Sequence, residues 1–229
     1  HTNDQAVRYA DHGHLTVLEE PMTAEAVLRQ PPLITVYCGS RAGHDPAFAH
    51  AAEALGQAMG QAGLGLVYGG AHVGLMGRVA EGVLACGQPV LGIMPEFMLA
   101  HEVARQDLTE LRVVASLHER KGLMAELGSA FVALPGGFGT LEELTEVACW
   151  AQLHHHDKPM LLLNLKGYYD PLLAQLDRAV QEGFMSAGDA ARLQVFAGVE
   201  PLMAALLAQL RWAPAAPVFT TSGSGCGPA

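Results

Sequence analysis

The stretch that decides the fold covers residues 134–143 and reads Leu-Pro-Gly-Gly-Phe-Gly-Thr-Leu-Glu-Glu. An apolar run at residues 130–134 leads into it, and an amphipathic segment at residues 141–153 follows it. This order predicts a strand that passes through a tight glycine turn into a helix. Because the glycines lack Cβ atoms, a ligand can approach the backbone of the turn closely.

The turn has the chemistry of an anion-binding site. The first N–H groups of a helix have no partner within it, and the helix dipole places positive charge there, which favours phosphate. The predicted phosphate ligands are the backbones of Gly136, Gly137 and Gly139 and the hydroxyl of Thr140, which is also expected to cap the helix. Glu143 then brings a carboxylate close to the bound group. These features predict chemistry on a small phosphorylated molecule.

The same alternation of apolar runs and helical patterns extends over residues 31–212. The predicted strands are 33–38, 64–68, 89–94, 111–115, 130–134, 159–163 and 193–196. The predicted helices are 46–62, 74–85, 118–128, 141–153, 171–182 and 201–210. Together they predict a single α/β domain with a doubly wound, Rossmann-like parallel sheet and helices on both faces. Residues 1–30 are interpreted as an N-terminal extension and residues 213–229, rich in Pro, Ala, Gly, Ser and Thr, as a disordered tail.

Three glycine turns follow predicted strands, at Gly39-Ser40, at Gly69-Gly70 and at residues 135–139. Ligands of doubly wound sheets bind beyond the carboxyl ends of the strands, so these turns are expected to form one site. The first turn lacks the G-x-G-x-x-G spacing and the later acid of a dinucleotide site, and the chain has no Walker motif. NAD-dependent chemistry and ATP hydrolysis are therefore not expected.

Composition excludes several classes of partner. The formal charge is −10, with 13 basic and 23 acidic residues, which argues against DNA or RNA but not against one mononucleotide. No apolar run is long enough to cross a bilayer, so no membrane association is expected. The four cysteines are scattered without a Cys-x-x-Cys pair. That pattern favours reduced thiols and a cytoplasmic location over a disulfide scaffold.

Further motifs complete an ordered set. Cys-Gly-Ser lies at residues 38–40, Tyr-Gly-Gly-x-x-x-Gly-Leu-Met-Gly at 68–77, His-Glu-Arg-Lys at 118–121 and Pro-Gly-Gly-x-Gly-Thr-x-x-Glu at 135–143. This set resembles the Lonely Guy (LOG) family of cytokinin riboside 5′-monophosphate phosphoribohydrolases, which are often mislabelled lysine decarboxylases. The resemblance covers residues 34–210 and includes Gly-Tyr-Tyr-Asp at 167–170. It departs from the family at Ala71, where a third glycine is common, and at His154-His155, which replace a Gly-Ile-like pair.

The resemblance implies hydrolysis of the N-glycosidic bond of an adenine-type nucleoside 5′-monophosphate, plain or N6-prenylated, with release of the free base and ribose 5-phosphate. It implies Arg120 and Glu143 as the catalytic pair. The substrate-binding residues that we expect are Ser40, Arg78, Lys121, Gly136, Gly137, Gly139 and Thr140. It also implies a homodimer or larger homo-oligomer, formed through helices such as the one that carries Trp150. No cofactor is expected.

The physical chemistry fits these roles. Breaking the bond at C1′ builds positive charge on the ribose, which a carboxylate stabilises while it positions or activates water. Arg120 cannot act as a base, because a guanidinium stays protonated at any working pH. It is expected to hold phosphate or ribose oxygens and to keep Glu143 ionised. The donor that protonates the departing base is not visible in the sequence.

Two other functions fit the sequence less well. Related glycine-loop proteins carry molybdenum cofactor or sense nucleotides, but a pure carrier needs no acid, so the presence of Arg120 and Glu143 disfavours that class. Lysine decarboxylation needs pyridoxal phosphate on a lysine, and none of the three lysines lies in a recognisable cofactor motif. No metal site is expected at residues 154–156, because adjacent histidines point in different directions and no spaced partner follows. These histidines are interpreted as a polar loop.

Overall fold

A seven-stranded parallel sheet lies at the centre of the part of the chain that the computed structural model describes, which is residues 31–99, 105 and 107–212. The strands are β1 (Leu33–Tyr37), β2 (Gly65–Tyr68), β3 (Val90–Pro95), β4 (Glu110–Val114), β5 (Ala130–Ala133), β6 (Met160–Leu163) and β7 (Leu193–Phe196). Their order across the sheet is β4-β3-β2-β1-β5-β6-β7. The predicted extension, 1–30, and the predicted tail, 213–229, lie outside the described residues.

The α-helices lie between the strands and after the last one, as the alternating pattern predicts. They are α1 (Pro46–Gln61), α2 (Gly74–Ala85), α3 (Leu117–Leu127), α4 (Phe138–Gln152), α5 (Asp170–Gln181), α6 (Ala187–Ala190) and α7 (Val199–Leu210). Apart from the start of α4, the bounds of the predicted elements agree with the structure to within two residues. The single turn α6 was not predicted, because four residues are too few to show a helical period.

Helices cover both faces of the sheet and bury two separate apolar cores. One core lies between the sheet and helices α1, α2 and α7, and it contains Leu55, Val79 and Leu206. The other lies on the opposite face, where Met124 of α3 and Val147 of α4 pack against the strands. Strands β2, β3, β5 and β6 are buried at every residue, which explains their continuous apolar sequences, whereas the edge strands β4 and β7 are partly exposed. The doubly wound α/β fold predicted from the sequence is confirmed.

The order of the strands places the switch point of the sheet between β1 and β5. From β1 the chain moves outward to β4, and from β5 it moves outward in the opposite direction to β7. The segments that leave the carboxyl ends of β1 and β5 therefore diverge toward opposite faces, and a crevice forms between them. Two of the three predicted glycine turns, Gly39-Ser40 and residues 135–139, follow these two strands.

None of the helices in the described part of the chain combines the length and apolar character that crossing a membrane requires.

Candidate active site

Backbone hydrogen bonds join the segments that follow β1, β5 and β2. The N–H of Gly39 donates to the carbonyl of Pro135 (3.0 Å), and the N–H of Leu75 donates to the carbonyl of Gly39 (3.0 Å). Gly74 has a φ of +60°, and a Cβ there would lie 2.3 Å from the carbonyl carbon of Ser40. Only glycine allows this close approach. The start of α2 is therefore fixed against the loop after β1.

An open cleft with a volume of about 420 Å³ lies between these segments. It is lined by residues 39–43 and 135–137 together with Phe48, Leu75 and Tyr168. Ser40, Gly136 and Gly137, three of the predicted substrate-binding residues, thus lie in the lining of one cleft.

The lining also contains the side chains of Arg41, Phe48 and Tyr168, which the prediction did not include. The position of Arg41 could have indicated a binding role, because it directly follows the glycine turn at the end of β1. Tyr168 belongs to the Gly-Tyr-Tyr-Asp motif, and no role for this motif was predicted from its residues. Phe48 lies in α1 and carries no signal of a site, since an apolar residue in a helix is ordinarily assigned to the core.

Helix α4 begins three residues earlier than predicted, at Phe138. Its N-cap is Gly137, with an extended backbone and no side-chain cap hydrogen bond, so the prediction that Thr140 caps the helix is wrong. Thr140 is buried in the first turn instead, and a Cβ at Gly136 would lie 2.0 Å from its Oγ1. Sequence periodicity missed this start because Phe138, Gly139 and Thr140 supply no apolar stripe. At Gly137 and Gly139 a Cβ would meet only open space.

Arg120 is buried in α3 with its guanidinium against the second glycine turn. A Cβ at Gly69 would lie 2.2 Å from Arg120 Nη2, so the guanidinium occupies the space that the missing side chain leaves. Nη1 lies 3.6 Å from the sulfur of Met98. Nε is buried and has no hydrogen-bond partner among the described residues. An unsatisfied buried donor of this kind is one that a ligand oxygen can complete.

The predicted catalytic pair lies together. Arg120 Nη2 is 3.9 Å from Glu143 Oε1, and their side chains are only 10% and 14% exposed. Burial, followed by the nearby Glu143 charge, raises the pKa of the Tyr37 hydroxyl and that of the Cys38 thiol. The Glu143 carboxylate therefore lies beside the end of β1.

The pair borders the cleft and does not line it. Neither Arg120 nor Glu143 is in the cleft lining, whereas Gly39, which follows Cys38 directly, is. The acid thus lies near the end of β1, and the next residue along the chain, Gly39, belongs to the cleft lining.

Lys121 and Arg78 lie apart from the cleft lining. Lys121 forms ion pairs with Glu142 and with Glu146, the latter at 3.1 Å. Although burial opposes the shift, these two carboxylates raise the pKa of Lys121. Its charge thus links α3 to α4. Arg78 is exposed on α2. The sequence could not indicate this arrangement, because Glu142 reads as an ordinary surface residue.

The histidines at residues 154–156 have contacts of a structural kind. His156 Nε2 lies 2.8 Å from the carbonyl of Val147, and its Nδ1 accepts from the N–H of Lys158 (3.1 Å). Burial lowers the pKa of His156. The ring of His155 lies edge-on to Trp150. Within residues 31–99, 105 and 107–212, no group of three or more His, Cys, Asp or Glu side chains is arranged to hold a metal ion.

Comparison with known proteins connects this fold and these motifs to a family. A family model described as "Possible lysine decarboxylase" matches residues 76–206. A cytokinin riboside 5′-monophosphate phosphoribohydrolase of Rhodococcoides fascians is 46% identical over 191 residues, which is 81% of this chain and 96% of the relative. The rice (Oryza sativa subsp. japonica) protein of the same name, LOG, is 48% identical over 164 residues, which is 72% of this chain and 67% of the relative.

Solved structures resemble the chain at the level of fold. The molybdenum cofactor binding protein from Rippkaea orientalis superposes with a TM-score of 0.61 at 22% identity, covering 79% of this chain and 98% of that one. The Moco carrier protein of Chlamydomonas reinhardtii gives 0.61 at 23% identity, with 79% and 98% covered. The fold thus defines a Rossmann-like α/β protein with glycine loops at the switch point of its sheet. By its sequence, the chain belongs to the LOG family of cytokinin riboside 5′-monophosphate phosphoribohydrolases.

Proposed function

We propose that this chain hydrolyses the N-glycosidic bond of an adenine-type nucleoside 5′-monophosphate and releases the free base and ribose 5-phosphate. The observation that carries the proposal is the pair formed by buried Arg120 and partly buried Glu143, which lies next to the glycine segments of the switch point. Membership of the LOG family supports the same activity.

The chemistry follows from the positions of these groups. As the bond between C1′ and the base nitrogen breaks, the electron pair leaves with the base and positive charge develops on the ribose. The Glu143 carboxylate stabilises this charge and orients a water molecule. The water oxygen forms the new bond to C1′, and one water proton goes to the departing base. The fixed positive charge of Arg120, 3.9 Å from Glu143 Oε1, favours the ionised form of Glu143.

The start of α4 is the proposed phosphate site. The N–H groups of its first turn, which include that of Gly139, have no partner within the helix and carry the positive end of its dipole. Gly136, Gly137 and Ser40 line the cleft at this point. The side chain of Thr140 is buried in the first turn of α4. Arg41 adds a cation to the same lining. The geometry gives less support to Arg78 and Lys121 as binding residues, because neither lies in the cleft lining.

Substitution of Gly139 by alanine distinguishes an effect on phosphate binding from an effect on the stability of the fold. Gly139 and Gly122 both lie within helices, in α4 and α3, and at both a Cβ would meet open space. Alanine at either position is expected to stabilise the protein by up to about 1 kcal/mol, because glycine is a poor helix former. Only Gly139→Ala places a methyl group at the proposed phosphate site, so it alone is expected to raise the KM for AMP. Thermal unfolding and steady-state kinetics of both variants check this.

The activity itself is tested by incubating the purified protein with AMP and with N6-prenylated AMP and by following the free base and ribose 5-phosphate by chromatography. Both products are expected in equal amounts. Adenosine, which lacks the phosphate, is the matched control and is expected to react far more slowly. Tight binding of AMP without release of base would contradict the proposal and favour a carrier.

The three lysines give no support to a lysine decarboxylase. A pyridoxal phosphate enzyme needs a lysine amine that is available for a Schiff base. Lys121 is paired with two carboxylates, Lys158 donates to the carbonyls of Ala125 (2.6 Å) and Glu126 (3.0 Å), and Lys166 is paired with Asp45 (2.5 Å). Each of the three amines thus forms an ion pair or hydrogen bonds within the fold.

We also propose a cytoplasmic homodimer. Leu117 at the start of α3 and Leu153 after the end of α4 have exposed apolar side chains, and Trp150 near the end of α4 is only partly buried. An apolar surface of this kind favours self-association. The free thiols of Cys38 and Cys149 fit a reducing compartment. Light scattering of the purified protein is expected to give the mass of two chains.

A further inference from the structure

Two adjacent tyrosines before α5 hydrogen bond to the loop between β5 and α4. Tyr168 donates its hydroxyl to the carbonyl of Gly136 (2.6 Å), and Tyr169 donates its hydroxyl to the carbonyl of Leu134 (2.6 Å). The carbonyl between them, that of Pro135, accepts from the N–H of Gly39. Three successive carbonyls that lead into α4 are therefore held by donors from other parts of the chain.

The turn that carries the tyrosines is itself fixed. Asn164 accepts from the N–H of Tyr169 and donates to Asp170, both at 2.7 Å. Gly167 has a φ of +72°, and a Cβ there would lie 2.4 Å from Asp170 Oδ2, so glycine is required at this position. The Gly-Tyr-Tyr-Asp motif at residues 167–170 thus builds a rigid support for the two phenol groups.

The hydroxyls of Tyr168 and Tyr169 orient two different peptide groups. In a trans peptide the carbonyl and the following N–H point in opposite directions. When Tyr168 holds the carbonyl of Gly136, it therefore also fixes the direction of the Gly137 N–H at the start of α4. The peptide that Tyr169 holds ends at Pro135, which has no N–H to present.

We propose that Tyr168 is a positioning residue for the phosphate site. Its hydroxyl holds the peptide between Gly136 and Gly137 in one orientation, so that the Gly137 N–H is preorganised for a phosphate oxygen. Tyr168 is 43% exposed and lines the cleft, whereas Tyr169 is 2% exposed and belongs to the core. This inference rests on the proposed function for the identity of the ligand, a sugar phosphate.

The test compares Tyr168→Phe with Tyr169→Phe. Each variant loses one hydroxyl and one hydrogen bond of the same length to the same loop. Phenylalanine at 168 keeps the edge-on ring contacts with Phe48 and Tyr169. The affinity of each variant for ribose 5-phosphate is measured by calorimetry, and unfolding is followed by circular dichroism.

Tyr168→Phe is expected to bind ribose 5-phosphate roughly 3- to 10-fold more weakly than the unchanged protein, the loss typical of one hydrogen bond, with little change in Tm. It is expected to raise the KM for AMP by the same factor and to leave kcat within about twofold. Tyr169→Phe is expected to lower Tm, because a buried carbonyl loses its partner, and to keep the affinity for ribose 5-phosphate.

Unchanged affinity in Tyr168→Phe, or an equal loss of affinity in Tyr169→Phe, would overturn the inference. The proposed function fails by a different result, the absence of free base when the unchanged protein is incubated with AMP. Because ribose 5-phosphate binding is measured without turnover, the two failures are distinguishable.

Discussion

Replacing Glu143 with glutamine is expected to lower the rate of base release from AMP by roughly 10²- to 10⁴-fold. The amide is nearly the same size as the carboxylate but carries no charge, so it neither stabilises the cationic ribose nor accepts a proton from water. The partner charge, Arg120, lies 3.9 Å away, beyond the length of a good hydrogen bond, so the fold is expected to survive the change. Chromatography of the free base and circular dichroism of the variant measure both effects.

Glu142 provides the matched control on the same helix. Its side chain is 56% exposed and pairs with Lys121, so Glu142→Gln removes one negative charge at the adjacent position without changing the Arg120 pair. Its activity is expected to stay within severalfold of that of the unchanged protein. If Glu143→Gln turned over AMP as fast as Glu142→Gln, Glu143 would not be the catalytic carboxylate. Calorimetry with AMP is expected to show that Glu143→Gln still binds the nucleotide.

The second large effect is expected from Gly69→Ala, which acts on Arg120 through space. The new Cβ would lie 2.2 Å from Nη2 in the present arrangement, so the guanidinium has to leave its position. The contacted atom is the end of a flexible side chain, and the second neighbour, the sulfur of Met76 at 3.1 Å, is also flexible. The fold is therefore expected to persist while base release falls roughly 10²- to 10³-fold, as after loss of a preorganised electrostatic group.

A double-mutant cycle distinguishes this mechanism from a general loss of structure. Arg120→Ala alone is expected to reduce activity about as much as Gly69→Ala, and the double variant is expected to be little worse than either, because both changes remove the same interaction. Gly122→Ala serves as the control, because it adds a methyl group to α3, the helix that carries Arg120, at a position where a Cβ would have nothing within 4 Å. Additive losses in the double variant would show that Gly69 has a function separate from Arg120.

Most of the fold was predictable because the signals are local. Burial on both faces makes inner strands such as β6 continuously apolar, and burial of one side gives helices such as α2 and α7 a recognisable pattern. The start of α4 was missed because a glycine N-cap and an exposed Phe138 carry no such pattern. The sheet edge that carries the candidate site was also predictable, since ligands of doubly wound sheets bind beyond the carboxyl ends of the strands, whereas the switch point between β1 and β5 is known only from the strand order in the structure.

The site itself was only partly predictable. Gly136, Gly137 and Ser40 line the cleft because they follow strands that end there, and this property depends on chain order alone. The engagement of Lys121 by Glu142 and Glu146 depends on how α3 packs beside α4, which no local pattern encodes. For the same reason, the ion pairs of Lys121 could not be predicted, and its expected role in substrate binding stays a prediction.

By itself, the sequence determined the doubly wound sheet, its glycine turns and the residue types that belong to the site, because these depend on neighbours within a few positions of the chain. The tertiary structure alone decided which groups meet: Arg120 against Gly69, the same guanidinium beside Glu143, and Tyr168 on the carbonyl of Gly136. These contacts join residues that lie 51, 23 and 32 positions apart in the sequence. Their geometry is set by the packing of helices and loops on the sheet, and packing is a property of the whole fold.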